Sequence, residues 1–375
     1  MPTAGAAAAA PARIPLDFDP ATLPWIDKPE ADVDRYVANA DTSALGYDLR
    51  EKLLQWKNFG YTVFEQAVSP ALVDAYLADM EEFKDRHEEF STVVESSAHG
   101  HSTAKAPKRD DLEDFQVRFC DLHNNLVSGK KLGLNPKIVS FLAHIFRDKV
   151  VMMQSLTFLR SSEQWAHQDY AYVVAAIPSH LAACWIALED VHADAGPLMY
   201  YPGSHRIPKF DFGNGLFLTP ESKFHEAEFL AHIQAQCKAL GLQEVTFLPK
   251  KGDMFVWHAA LAHGGTPIRN RALTRKSFVC HYSSQTGYPR DRRNVNVQPV
   301  AYEYNQGRCM AIPCTQMKKI ACGAVQIFRM PERARSRLPF AENRGSDAHA
   351  GRAFLDRNLK VVRHAHRELV ERDRR

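Results

Sequence analysis

The sequence predicts a mainly β fold with flanking helices. Strand-like runs follow one another from Val150 to about Tyr282, whereas helical spacing dominates before residue 148. A histidine and an aspartate two residues apart stand early in the strand region, and further histidines stand late in it. This arrangement suits a double-stranded β-helix, the jelly-roll, cupin-like architecture that closes two facing sheets around a pocket. The strand pattern alone does not separate a jelly roll from another sandwich.

The part before the strands is expected to supply helices that buttress one sheet. Residues 1–24 are rich in alanine and proline and are predicted to be disordered or loosely attached. Apolar spacing predicts a helix over 45–57, and a short apolar run predicts a strand over 61–64. Two further helices are predicted from their capping signals: one from 70 to about 83, started by Ser69-Pro70, and one over 136–146, started by Asn135-Pro136. We expect one elaborated domain over 25–340.

Three other segments break the pattern. Residues 86–114 are polar and lose periodicity, which indicates a surface loop or a mobile flap whose Lys105, Lys108 and Arg109 meet an anionic substrate group. A helix capped at Thr219 is predicted as an insertion between strands. The tail 341–375 carries mixed charges, typical of a solvated helix or a subunit contact, so a homo-oligomer stays open.

Composition favours a soluble globular protein that acts on a small molecule. Hydrophobic residues make up 45% and charged residues 24% of the 375 positions, and the net charge of +3 is too small to argue for a nucleic-acid partner. The seven cysteines are scattered without a C-x-x-C pair, as expected for free thiols in a reducing cytosol. The sequence shows no signal peptide and no run near the ~18 apolar residues of a membrane span. We therefore predict a cytoplasmic protein without a membrane partner.

The stretch around His167 and Asp169 predicts a metal site. Residues i and i+2 of a strand point to the same face, so this imidazole and carboxylate can converge on one ion. His258 and His263 are the candidates for a further ligand, and if the run is one strand their odd separation puts them on opposite faces, so that only one can easily join the metal. Two imidazoles and one carboxylate with open positions form the facial triad of non-haem Fe(II) oxygenases. A closed zinc site needs a fourth ligand, for which no spaced partner stands out. His99 and His101 repeat the spacing without a strand pattern beneath them.

An ordered series of motifs resembles the phytanoyl-CoA dioxygenase family of Fe(II)/2-oxoglutarate-dependent oxygenases over roughly residues 45–285. The series is H-Q-D from His167, W-I-A-L-E-D from Trp185, G-P-L-x-x-x-P-G-S-H-R from Gly196, G-D-x-x-x-x-H-x-x-x-x-H-G from Gly252, and a later arginine. The resemblance implies the jelly-roll fold, Fe(II) as the metal, and 2-oxoglutarate and O2 as co-substrates.

The resemblance also implies roles for single residues. The metal would be held by His167, Asp169 and His263. The C5 carboxylate of 2-oxoglutarate would be bound by Arg275, with Trp185 and Gln154 lining the co-substrate pocket. Arginine suits a carboxylate because its planar fork donates two parallel charge-assisted hydrogen bonds.

The sequence departs from the family pattern at two places. Arg275 follows the distal histidine by one residue more than is usual, so its assignment depends on the following His281-Tyr282 and a longer turn, and Arg271 and Arg269 remain rivals. Gly265 stands where the family often has a serine, so the hydrogen bond from that hydroxyl to the co-substrate is not expected here.

The activity that the resemblance implies is a dioxygenase reaction. It would hydroxylate an unactivated C–H bond of a small-molecule or carrier-linked metabolite and release succinate and CO2. A desaturase or ring-forming oxygenase shares every residue named, while a cupin-like metal isomerase or hydrolase and a non-catalytic binding module are alternatives on the same fold. Asp169 predicts oxygenation over halogenation, because related halogenases replace this carboxylate with a small residue to make room for chloride. No motif selects the substrate.

Overall fold

The computed structural model describes residues 16–87, 93–96, 101–103, 112, 117–288 and 300–311, and it gives the backbone alone at 93–96, 101–103, 300 and 310–311. The described strands are β1 (Tyr61–Phe64), β2 (Val93–Ser96), β3 (His101–Thr103), β4 (Val117–Cys120), β5 (Val150–Phe158), β6 (Leu181–Ala187), β7 (Leu198–Tyr200), β8 (Val245–Phe247), β9 (Met254–His258), β10 (His263–Gly265), β11 (Ser277–Ser284), β12 (Val300–Tyr304) and β13 (Gly307–Ala311). The described α-helices are α1 (Val33–Val37), α2 (Leu49–Phe59), α3 (Pro70–Asp85), α4 (Val127–Gly133), α5 (Pro136–Phe146) and α6 (Glu226–Ala239).

The strands form two sheets whose connections are those of a jelly roll. The larger sheet has the order β1-β9-β6-β11-β5-β4-β2-β3, with β13 beside β5 and β12 beside β13, and the smaller has the order β10-β7-β8. An isolated bridge joins His167 to His263 and so adds to the smaller sheet. From β5 to β11 the chain passes back and forth between the sheets, which is the double-stranded β-helix topology. The predicted fold class is confirmed.

Strand alternation divides the buried residues into an inner and an outer core. In β6 every residue is buried: Ala183, Trp185 and Ala187 face the interior of the jelly roll, whereas Cys184 and Ile186 face the outside. Period-two alternation with both faces covered explains why this strand reads as a continuous apolar run. The outer core packs against helices α2, α3 and α5, as the sequence predicts.

Capping residues set the helix boundaries where the sequence places them. The Ser69 side chain accepts from Leu72 N and starts α3, and the Asn135 side chain accepts from Lys137 N and starts α5. Helix α2 begins at Leu49, later than predicted, because Asp48 is its N-cap. It ends at Gly60, whose φ of 78° lies in the left-handed region that glycine favours.

The structure corrects three of the predicted segments. Residues 16–24 are attached, because Leu16 bridges Lys209 and Phe18 is buried in the core. Within 86–114, β2 and β3 form a hairpin that extends the larger sheet, so this segment is not wholly irregular. The inserted helix starts at Glu226, with His225 as N-cap in place of Thr219, because His225 and Glu228 make a capping box.

Several predictions fall outside the described residues. They concern residues 1–15, the side chains of His99 and His101, the cations Lys105, Lys108 and Arg109 of the predicted flap, and the tail 341–375. The flap and the domain limits 25–340 stay predictions. Within the described ranges, no helix has the length and apolar character that a bilayer crossing requires.

Candidate metal centre

Two reciprocal backbone hydrogen bonds place the two predicted histidine ligands side by side. His167 N donates to His263 O at 2.9 Å, and His263 N donates to His167 O at 3.0 Å. The imidazole centroids lie 4.5 Å apart as a result. Two residues far apart in the sequence thus stand opposite each other at the rim of the smaller sheet.

Asp169 reaches the same point from a turn, not from a strand. It begins a 3-10 helix, Asp169–Ala171, so the predicted strand geometry for the H-x-D pair is wrong although the predicted convergence is right. Its Oδ1 atom lies 3.7 Å from His167 Nε2 and 3.6 Å from His263 Nε2. The turn directs a carboxylate oxygen to the point that both imidazoles face. The ligand atoms of the three residues all lie within 4.8 Å of one another.

Both imidazoles are held in the tautomer that a metal ligand needs. Nδ1 of His167 donates to the carbonyl of Trp165 at 2.9 Å, and Nδ1 of His263 donates to the carbonyl of Leu261 at 3.0 Å. A carbonyl oxygen accepts only, so each proton is on Nδ1 and each Nε2 presents a lone pair. Burial, helped by the nearby His263, lowers the pKa of His167 to about 4. The His167 imidazole is therefore neutral near pH 7.

The second carboxylate oxygen of Asp169 is held by two residues that the sequence reasoning missed. Trp257 Nε1 donates to Oδ2 at 2.8 Å, and His281 Nε2 lies 3.5 Å from the same oxygen. Burial by itself raises the pKa of Asp169, but His263 and His281 hold it well below its usual range. The carboxylate is ionised, and its Oδ1 is left for a metal.

Gln154 supports this arrangement from the neighbouring strand. In the β5–β11 register it pairs with His281, and its Nε2 lies 3.1 Å from His281 Nδ1. The structure therefore places Gln154 against His281, in contact with the ligand set only through that ring. Period-two counting was the signal for the missed residues, since Trp257 follows the interior Phe255 by two and His281 follows the interior Val279 by two.

His258 and His263 do not share a strand, so the predicted reason for separating them is wrong: His258 ends β9 in the larger sheet, whereas His263 begins β10 in the smaller sheet. His258 Nδ1 accepts from Ala260 N at 3.0 Å, and its Nε2 lies 3.5 Å from Asp27 Oδ2. Its ring contacts Trp56 of the outer core. The structure groups His263, and not His258, with the H-x-D pair.

Arg275 is a buried cation that forms no ion pair with any residue in the described part of the chain. Only 3% of its surface is exposed, its guanidinium lies 5.6 Å from the Trp185 ring, and its Nε has no hydrogen-bond partner within the described residues. Burial lowers its pKa to about 10, which still leaves the group charged at neutral pH. Removing an ion from water costs several kcal/mol unless a partner is supplied. An anionic ligand beside Trp185 would supply that partner.

The rival arginines lie in a different environment. Arg271 is 59% exposed with Glu163 3.8 Å away, and Arg269 is 79% exposed with Asp194 3.9 Å away. Both already have carboxylates near them in solvent. The geometry therefore favours Arg275 as the site for a buried carboxylate.

The glycine that replaces the family's serine has no space for a side chain. A Cβ on Gly265 would lie 2.7 Å from Ser161 Oγ and 3.1 Å from Glu163 N. The Ser161 hydroxyl, which comes from the segment ahead of the H-x-D pair, fills the space that a side chain at 265 would enter.

Two partly exposed aromatic residues flank the first histidine. Tyr172 is 38% exposed and Trp165 is 47% exposed. The Tyr172 ring meets the His167 ring edge-on, with centroids 5.7 Å apart. His167, at 14% side-chain exposure, is the most exposed of the three ligands, so the side of these two residues is the one nearest solvent.

Comparison with known proteins gives a family match over most of this region. The family model described as Phytanoyl-CoA dioxygenase (PhyH) matches residues 56–277, which include the three clustered ligands and Arg275. Human phytanoyl-CoA dioxygenase, peroxisomal, is 22% identical over 193 residues, which cover 46% of this chain and 48% of the relative. The chain thus spans about half the length of the curated relatives it matches.

Two solved structures illustrate the structural likeness. The epimerase SnoN in complex with Fe3+, alpha ketoglutarate and nogalamycin RO is 18% identical, covers 64% of this chain and 86% of its own, and has a TM-score of 0.48. EctD from S. alaskensis with 2-oxoglutarate and 5-hydroxyectoine is 17% identical, covers 67% of this chain and 81% of its own, and has a TM-score of 0.48.

Proposed function

This chain belongs to the phytanoyl-CoA dioxygenase family, and from that premise we propose that it is an Fe(II)- and 2-oxoglutarate-dependent dioxygenase. It hydroxylates an unactivated C–H bond of a small-molecule or carrier-linked metabolite, with release of succinate and CO2. The observation that carries the proposal is the convergence of two imidazoles, each held through Nδ1 by a backbone carbonyl, and one carboxylate oxygen, all within 4.8 Å. A cytoplasmic location stays a prediction.

The donor set fits Fe(II). His167, Asp169 and His263 would hold the ion from one side, and three protein ligands leave positions for a co-substrate and O2. Iron with 2-oxoglutarate and O2 supplies the oxidising chemistry that side chains lack. Asp169 can give one oxygen only, because Trp257 and His281 occupy the other. The three side chains would then fill three coordination positions of the ion.

Arg275 is the residue that would bind the co-substrate 2-oxoglutarate. The planar guanidinium of Arg275 would bind the C5 carboxylate of 2-oxoglutarate with two charge-assisted hydrogen bonds. Trp185 forms the wall beside it, and its Nε1 is likewise buried without a partner within the described residues. Because the interior is lined by apolar residues, water is kept away from this ion pair, which strengthens it.

The first test is metal binding by single variants. Asp169→Ala should lose most Fe(II) affinity in an anaerobic titration and most succinate formation, since it removes the charged ligand. His263→Ala should do the same, whereas His258→Ala should keep iron affinity because its ring lies on the outer face. Loss of iron binding in His258→Ala, with normal binding in His263→Ala, would overturn the ligand assignment.

The second test separates the reaction outcomes. Turnover under ¹⁸O-labelled O2 in chloride buffer should give a product with labelled oxygen, because Asp169 fills the position that chloride takes in related halogenases. A product that lacks two hydrogens and gains no oxygen would support a desaturase or ring-forming oxygenase. Turnover without succinate would support a metal-dependent isomerase or hydrolase, and iron binding without any turnover would support a binding module.

A further inference from the structure

A second buried ionisable group without an ion partner among the described residues lies on the Tyr172 side of the centre. Glu226 is the first residue of α6, and its Oε1 accepts a hydrogen bond from the Tyr172 hydroxyl at 2.7 Å. Its Oε2 is buried and has no hydrogen-bond partner, and among the described residues no lysine, arginine or histidine forms an ion pair with it. Burial raises the pKa of Glu226. The carboxylate thus carries a desolvated oxygen that nothing in the described protein satisfies.

One side chain links this carboxylate to the metal ligands. The ring of Tyr172 packs against His167, while its hydroxyl reaches Glu226. These two contacts place Glu226 close to the first histidine of the ligand set, on the side where the partly exposed rings of Tyr172 and Trp165 lie.

Two buried ionisable groups near the centre, each with a polar atom that has no partner among the described residues, carry opposite charges when ionised. Arg275 lies inside the jelly roll beside Trp185, and Glu226 lies on the inserted helix beside Tyr172. A buried polar atom without a partner is costly, and a ligand that supplies the partner recovers that cost. The cation matches the carboxylate of 2-oxoglutarate. The Glu226 carboxylate would match a cationic group on the primary substrate.

We propose that Glu226 and Tyr172 bind the primary substrate through a protonated amine, with an apolar portion of the substrate against the exposed rings of Tyr172 and Trp165. The inference rests on the proposed function, whose substrate class it names. An ammonium group would pair with Oε2 of Glu226, and the electron-rich face of an aromatic ring also attracts a cation. Neutral and anionic counterparts of the same substrate would leave Oε2 unpaired.

The experiment compares an amine with its neutral derivative. The probes are 2-phenylethylamine and N-acetyl-2-phenylethylamine, titrated calorimetrically into the full-length protein loaded with Fe(II) and 2-oxoglutarate without O2, and into the iron-free protein. Because acetylation removes the charge that would pair with Glu226, the amine should bind the wild type at least about tenfold more tightly than the acetamide. Glu226→Gln, which keeps the shape and removes the charge, should abolish that preference.

A matched control comes from a second tyrosine–glutamate pair. Tyr201 donates to Glu244 Oε2 at 3.0 Å on the exposed surface. Glu244→Gln removes the same charge from the same kind of pair and should leave the amine preference unchanged. The melting temperature of each variant reports whether it folds.

The outcomes separate this inference from the proposed function. Equal binding of the two probes to the wild type, no binding of either, or an amine preference that survives Glu226→Gln overturns the inference. Formation of succinate from 2-oxoglutarate by the same wild-type preparation would then leave the dioxygenase function standing. If amine preference is lost in Glu226→Gln while the wild type forms no succinate, the binding site stands and the dioxygenase function fails.

Discussion

The hydrogen bond from Trp257 to Asp169 predicts a specific loss of iron affinity. Trp257→Phe removes the indole N–H but keeps an aromatic ring between Phe255 and His263, whose ring centroids lie 5.7 and 4.8 Å away. The donor is 2% exposed and lies 2.8 Å from an ionised carboxylate oxygen. The substitution therefore affects one charge-assisted contact and little of the surrounding packing.

The magnitude follows from the kind of bond that is lost. Hydrogen bonds to charged groups contribute about 1.5–3 kcal/mol, and at 1.4 kcal/mol per factor of ten this corresponds to a loss of roughly 10- to 100-fold in Fe(II) affinity. His281 stays near the same oxygen at 3.5 Å, so we expect a value toward the lower end. With one support removed, the Asp169 carboxylate would be held less firmly in the orientation that directs Oδ1 toward the two imidazoles.

The assay is an anaerobic Fe(II) titration with thermal melting of the same samples. Trp56→Phe is the matched control, because Trp56 is also buried but its Nε1 has no hydrogen-bond partner within the described residues and its ring lies in the outer core. Both variants should lose some thermal stability, and only Trp257→Phe should lose iron affinity. An unchanged Fe(II) dissociation constant in folded Trp257→Phe would refute the assigned role of the indole.

Two further predictions concern the co-substrate and pH. Arg275→Ala should raise the KM for 2-oxoglutarate about tenfold or more, because the buried C5 carboxylate loses its bidentate partner. Arg275→Lys should restore only part of the affinity for 2-oxoglutarate. A normal KM in Arg275→Ala with a large defect in Arg271→Ala would transfer the role to Arg271. Burial lowers the pKa of His144, His180 and His205, so the unfolded chain binds more protons than the folded one below about pH 6.5. The free energy of unfolding should therefore fall as the pH drops from 6.5, and urea midpoints that stay constant between about pH 7.5 and 5 would contradict this.

Local sequence signals predicted the elements whose boundaries are set locally. Strand β1 and the starts of α3 and α5 agree with the prediction because a cap residue or a short apolar run defines them within a few positions. Strands β2, β3, β12 and β13 were missed: they pair locally as β2–β3 and β12–β13, but they join the larger sheet only through β4 and β5, which local sequence does not reveal. The N-cap of α6 was misplaced because His225, an uncommon cap, outcompetes Thr219 through its capping box with Glu228.

The site shows the same division between local and long-range information. Spacing and resemblance identified His167, Asp169, His263 and Arg275, and the structure gathers the first three and buries the fourth without a partner. The sequence did not reveal what holds Asp169 in place, because Trp257 and His281 become its neighbours only across strands β9 and β11. Glu226 was missed for the same reason, since an inserted helix brings it to Tyr172.

The backbone bridge between His167 and His263 has a consequence for how this scaffold can diversify. The segment that carries α6 leaves β7 and returns at β8, both of which lie in the sheet that contains the bridge. The buried residues of this segment, among them Phe210, Phe229 and Ile233, pack in a core cluster with Tyr170 and Ala171, next to Asp169. Substitutions at its exposed positions would therefore change the surface that meets a substrate while the backbone bridge keeps the two imidazoles in their mutual position.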